Sequence, residues 1–241
     1  MDFLLLLIGL TGLWYGTELT INGAVSLAGR LGVSEFIVGI VILSIGSDLP
    51  ELAVAVNAAI KSIGNGGVSD VVVGTALGSS LGQIGFVMGV AGLLAYLTLP
   101  RKTVFQHGAI LLGSIVIVAV FAADGAVTRT EGWVLILVYL IYLGLVIFDS
   151  KANPEEKDQS PRYSIPKATA WLLVGLVVVG ISAEWTVSGA IGVAELMGID
   201  EAVVAILVVG LGTSLPELSI SVAAVRTGKT RMSVGNLIGS N

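Results

Sequence analysis

The sequence predicts an all-α fold of the polytopic membrane class. Three observations carry that prediction: the composition, a succession of long apolar segments, and an internal repeat. Of 241 residues, 55% are hydrophobic and 12% are charged. A typical soluble domain carries about 25% charged residues, and mean hydropathy here is +0.97. This apolar excess excludes a water-soluble enzyme and a disordered chain. Twelve Lys and Arg with a pI near 4.8 exclude a nucleic-acid binder. With no Cys, disulfide scaffolds, thiolate metal sites and Cys nucleophiles fall away. A spanning β-barrel would show strands of about 10 residues with alternating polarity, and that pattern is missing from the sequence.

A spanning helix needs about 20 mostly apolar residues. Segments of that kind lie at 2–28, 33–60, 71–97, 106–123, 131–149, 168–196 and 202–225, and an eighth begins around 232. The first opens MDFLLLLIGL, which lacks a basic leader and stays apolar too long for a cleaved signal. The second and seventh are interrupted by Gly, hydroxyl residues, Pro and Glu; the third contains GTALGSS; the fourth and fifth are uninterrupted. The polar stretch KANPEEKDQSPRYSIP divides the chain, so 1–149 is expected to be a first half of five spans, 150–167 a linker, and 168–241 a second half. Ten of the twelve basic residues, from Arg30 to Arg231, fall on one side of this arrangement; Lys61 and Arg129 fall on the other. The positive-inside rule then puts the N-terminus outside and the 150–167 loop in the cytoplasm of a multi-pass cell-membrane protein.

Shifting the chain by 166 residues aligns Glu18–Ala58 with Glu184–Ala224, with 16 of 41 positions identical, among them Gly46, Pro50 and Glu51 with Gly212, Pro216 and Glu217. GTALGSS (74–80) matches GNLIGSN (235–241) after a five-residue offset. Five spans separate the copies, an odd number, so the copies cross the membrane in opposite directions. Such inverted repeats mark secondary transporters, with the site near the midplane where the repeats meet; a single-chain channel could share the symmetry. The second copy stops early, which points to a protein of about ten helices and roughly 310 residues, with seven and the start of an eighth present here.

The chemistry concentrates in SIGSDLPEL (44–52) and GLGTSLPEL (210–218). Pro50 and Pro216 each lack an amide hydrogen and clash with the carbonyl four residues back, so the helices should break there and release carbonyl oxygens. Glu51 and Glu217 follow at membrane depth, where a carboxylate costs about 2.5–3.5 kcal/mol on insertion scales. Asp48 adds a third acid, and no Lys or Arg lies at comparable depth in the sequence. A bound cation offsets such charge; carboxylate, carbonyl and hydroxyl oxygens suit calcium, and the lack of nearby His and Cys argues against zinc or copper. A kink with a partnered acid is the plainer reading of either segment alone, and recurrence in both copies weighs against it. A protonated Glu is compatible with proton coupling. Ser79, Ser240 and Gln83 become oxygen ligands if their segments face the carboxylates; their small-residue spacing also suits helix packing. Glu18 and Glu184 are read as lining an ion path or capping near an interface. His107, Trp133 and Tyr163 read as interfacial residues, and Glu195, Asp200 and Glu201 as solvated charges.

GLGTSLPEL and GNLIGSN, with the weaker copies SIGSDLPEL and GTALGSS, resemble the alpha repeats of the sodium/calcium exchanger family, within the calcium:cation antiporters. The resemblance covers essentially the whole chain. It implies a transporter, not an enzyme, that exchanges Ca2+ for Na+ at a central site between spans two, three, seven and eight, without a cofactor. It implies Glu51 and Glu217 as shared calcium ligands, Ser47 and Thr213 as hydroxyl-and-carbonyl ligands, Asp48 and Ser214 at the next position, backbone carbonyls from Ser44 and Gly210, and Ser79 and Ser240 as further ligands. Asp48 stands where the family has Ser or another small residue, and Gln83 where it has Asn or Asp. Both departures bear on the coupling ion, so a proton- or potassium-coupled calcium antiporter stays open beside the sodium-coupled one, with a cation channel or a non-transporting membrane scaffold as rivals from other classes.

Overall fold

The computed structural model describes residues 1–49, Leu52, Val56, 78–125, 127–152, 162–198 and 214–241. Among them are eight helices and no strand: α1 Asp2–Leu31, α2 Glu35–Ser47, α3 Gly78–Leu94, α4 Arg101–Phe121, α5 Arg129–Ala152, α6 Ile165–Leu196, α7 Leu215–Arg226 and α8 Thr230–Gly239. Four of these, α1, α4, α5 and α6, are long and apolar enough to cross a membrane. At about 1.5 Å per residue, α1 and α6 exceed the roughly 30 Å hydrocarbon core, a length that tilt accommodates.

Local chemistry sets the ends. Gly32 closes α1 at φ 68°, a left-handed conformation that glycine takes without strain, and its N–H bonds back to Ala28. Thr128 and Glu131 form a reciprocal capping box at the start of α5, with Glu131 Oε2 accepting from the Thr128 amide and hydroxyl at 2.7 Å each. Pro216 sits in the first turn of α7, where its missing amide hydrogen costs nothing. The expected break at Pro216 is therefore a helix start. The corresponding break at Pro50 lies outside the described residues.

The two longest helices pack against each other in opposite directions. A Cβ added at Gly9 would meet Ser182 and Thr186, and one at Gly175 would meet Gly16 and Thr20. Gly23 faces Ala168 and Leu172 in the same intimate way, and Gly189 faces Asp2 and Leu6. Each contact turns into its mate under the 166-residue shift. So does the pair of helical back-bonds from Thr20 to Gly16 O (2.8 Å) and from Thr186 to Ser182 O (2.7 Å). A pseudo-twofold thus relates α1 to α6, as oppositely directed copies require, and it extends beyond the aligned window. Leu13, Ile21, Ala24, Leu172, Val179, Ile220 and Met232 form the core between this pair and α7–α8.

Helices α4 and α5 lie at the periphery. No residue of α4 is buried, and large apolar side chains such as Phe105, Leu112, Leu137 and Phe148 stand exposed, as suits a lipid-facing surface. They join the bundle through Phe36, Ile40 and Val146. His107 does more than mark an interface: its Nδ1 lies 2.9 Å from the Tyr142 hydroxyl, and its ring meets Phe36 edge-on. Glu18 and Glu184 sit in mid-helix on exposed faces of α1 and α6, so neither caps a helix end. The long periodic helices simply run through the positions where an end was one expectation.

Candidate cation site

Four short or interrupted helices meet beside the α1–α6 pair. Helix α2 is α-helical over Glu35–Ile37, opens into a π-helical stretch over Val38–Leu43, and returns to α over Ser44–Ser47. Helix α3 contains a second π stretch over Gly82–Val87. Such widened turns are rare and recur at functional sites, because the extra residue re-aims the side chains that follow. Both α7 and α8 touch α2 and α3. Close approach of α8 depends on Gly239, where a Cβ would strike the Ile40 carbonyl and the Ser44 side chain.

The side chains brought together are those of an oxygen-rich chamber. Glu217, in the first turn of α7, is 0% exposed. The Asp48 carboxylate at the end of α2 reaches the side chains of Glu217, Ser240 and Ser47, although no aligned hydrogen bond satisfies Asp48 Oδ1 or Ser240 Oγ. Ser214 and Gln83 are 2% and 1% exposed, and Ser214 Oγ and Gln83 Oε1 likewise lack a hydrogen-bond partner. The start of the α3 π stretch lies against Ser214, since a Cβ at Gly82 would stand 3.3 Å from the Ser214 hydroxyl oxygen. Buried oxygens left without a hydrogen-bond partner are costly, about 1–3 kcal/mol each, and oxygens of this kind from several helices suit a hard cation.

The remaining expected residues fall as follows. The Ser44 carbonyl accepts the Asp48 amide (3.0 Å) and the Ser47 hydroxyl (3.2 Å), so in this conformation it is engaged within the helix. Ser79 is half-buried in the first turn of α3. Glu51, Thr213 and Gly210 lie outside the described residues. Among the described residues no three His, Cys, Asp or Glu side chains gather; the described acids of the chamber are Asp48 and Glu217. Sequence reasoning missed Asn236, which is fully buried on α8 and donates to Ser221 Oγ at 3.3 Å. The signal was available: Asn236 precedes Ser240 by four residues and so shares its helix face.

Antiparallel, repeat-related helices around a buried oxygen chamber define a multi-pass membrane transporter for cations. The family model described as sodium/calcium exchanger protein matches residues 1–148 and 167–241. The chain belongs to this family, a family of membrane antiporters. It is 30% identical to the putative antiporter CaxA of Alkalimonas amylolytica over 98% of this chain and 75% of that protein. It is also 30% identical to the sodium/calcium exchanger MaX1 of Methanosarcina acetivorans, over 100% of this chain and 79% of that one. Its structure resembles that of the sodium/calcium exchanger from Methanococcus jannaschii with a TM-score of 0.81 at 29% identity, covering 99% of this chain and 76% of that one.

Proposed function

We propose that the protein exchanges Ca2+ for Na+ by alternating access, with both ions competing for the chamber between α2, α3, α7 and α8. Glu51 and Glu217 supply the shared calcium carboxylates; Ser47, Asp48, Thr213, Ser214, Ser79, Ser240 and Gln83 complete the oxygen set, with carbonyls from Ser44 and Gly210. The halves 1–149 and 168–241 act as inverted repeats joined by the 150–167 linker. The observation that carries this reading is the group of buried oxygens without an aligned hydrogen-bond partner, Asp48 Oδ1, Gln83 Oε1, Ser214 Oγ and Ser240 Oγ, together with the buried Glu217. One divalent or several monovalent cations neutralise the chamber, but not both together, and that exclusion couples the fluxes. The asymmetry of basic residues supports an outside N-terminus and a cytoplasmic linker.

A second reading has a specific observation behind it. Asp48 places an extra carboxylate against Glu217, which favours coupling to protons or potassium in place of sodium. Calcium uptake into proteoliposomes separates the two readings. Uptake driven by an outward Na+ gradient supports sodium coupling; uptake driven only by a pH or K+ gradient overturns it.

A further inference from the structure

We propose that the α7–α8 hairpin carries a second, uncharged cation site centred on the Asn236 carboxamide oxygen, and that it takes a dehydrated monovalent cation. The proposal deepens the reading of the acidic chamber and rests on it. Along α7, Ser214, Glu217 and Ser221 recur at spacings of three and four; along α8, Lys229, Ser233, Asn236 and Ser240 do the same. Each set therefore forms one helical stripe. The bond from Asn236 Nδ2 to Ser221 Oγ fixes which rungs oppose. Ser221 lies one turn beyond Glu217, and Asn236 one turn before Ser240, so this rung sits about 6 Å from the chamber along the hairpin.

Ser221, Ser233 and Asn236 are all fully buried, and Asn236 Oδ1 and Ser233 Oγ have no hydrogen-bond partner. In a membrane core such a stripe carries a large desolvation penalty that a cation removes. The charge of the set decides which cation. Calcium demands six to eight oxygens, with carboxylates among them. A divalent ion among three neutral oxygens stays uncompensated, and its Born penalty is about four times that of a monovalent ion of the same size. Neutral oxygen cages therefore hold monovalent ions, as carbonyl filters do. At the far end of the stripe Lys229 is held by Glu35 at 2.7 Å, and the pair is largely buried. The site thus lies between the acidic chamber and an ion-paired mouth, on the route of the coupling ion.

The test uses the full-length protein in proteoliposomes, with Asn236→Leu as the main variant and Ser233→Ala as the second should the first fail to fold. Half-saturating Na+ for calcium release is expected to rise about fivefold or more, while Ca2+/Ca2+ self-exchange and its calcium dependence stay unchanged. The Na+-dependent thermal stabilisation of the detergent-solubilised protein, measured against choline, should shrink in parallel. Loss of Ca2+ and Na+ affinity together would reduce Asn236 to a strut of the acidic chamber, and no change in either would remove the site; both overturn the proposal. Glu217→Gln checks the underlying reading separately. If self-exchange survives in that variant the acidic chamber is misassigned, whereas the Na+ thermal shift still decides for or against Asn236.

Discussion

Replacing Asp48 by Asn tests whether its carboxylate serves the ion or merely the fold. The side chain reaches Glu217; two ionised carboxylates taken at about 4 Å would repel by about 4 kcal/mol at an effective dielectric constant of 20. A calcium ion about 5 Å from Asp48 gains about 7 kcal/mol from that one charge under the same assumption. The carboxylate repulsion stands with or without the ion and cancels from binding, so Asn forfeits the attraction itself, at most about five orders of magnitude in Kd. A sodium ion at the same distance gains about 3 kcal/mol, half as much, so its Kd should rise by about half as many orders of magnitude. The variant is isosteric and removes a repulsive pair, so the ion-free protein should unfold at a higher temperature. Calcium titration of the purified protein, followed by calorimetry and repeated in rising Na+, reads both affinities. An equal drop for both ions, or an unchanged calcium Kd, would refute the electrostatic argument.

Glu217→Gln should abolish calcium movement in proteoliposomes while gel filtration stays monodisperse, because a neutral amide of the same shape replaces a fully buried acid. Gly175→Ala drives a methyl into the Gly16 carbonyl and Thr20 amide of α1; it should destabilise by about 1–3 kcal/mol in thermal unfolding. Gly113→Ala, with open space around it on α4, should be neutral in the same assay. Arg226→Ala removes a guanidinium 4.3 Å over the Trp14 ring and should cost about 0.5–1 kcal/mol, with blue-shifted or red-shifted Trp emission as a local check.

Much of this architecture is written in periodicity and spacing. The long α1 and α6 announce themselves as apolar runs, and Pro216 marks the start of α7 because ring and missing amide act locally. Glu217 and Ser240 were identifiable because a buried acid and a hydroxyl in repeat-related positions are anomalous in lipid. One feature was not legible and another only in part. The π stretches in α2 and α3, which pack against α7 and α8, follow from no local propensity in the sequence. For Asn236 the four-residue spacing from Ser240 was there to read, but its partner Ser221 across the hairpin is supplied only by tertiary structure. The exposed positions of Glu18 and Glu184 likewise depend on how α1 and α6 turn toward each other.

Symmetry divides the labour between scaffold and chamber. The α1–α6 contacts of Gly9, Gly23, Gly175 and Gly189 map onto one another residue for residue, as they must if each copy is to pack against the other with equal depth. The chamber does not obey that mapping: Asp48 answers Ser214. If the halves alternate as proposed above, a symmetric frame with an asymmetric lining would let them move by equivalent packing while the ion meets inequivalent ligands. The proposed function then assigns selectivity to the residues that break the repeat. On this argument Ser214→Asp, which restores symmetry by adding a second acid opposite Asp48, should tighten divalent binding and slow calcium release. Isotope efflux at fixed Na+ measures that rate, and a faster release would show that the lining does not set ion retention.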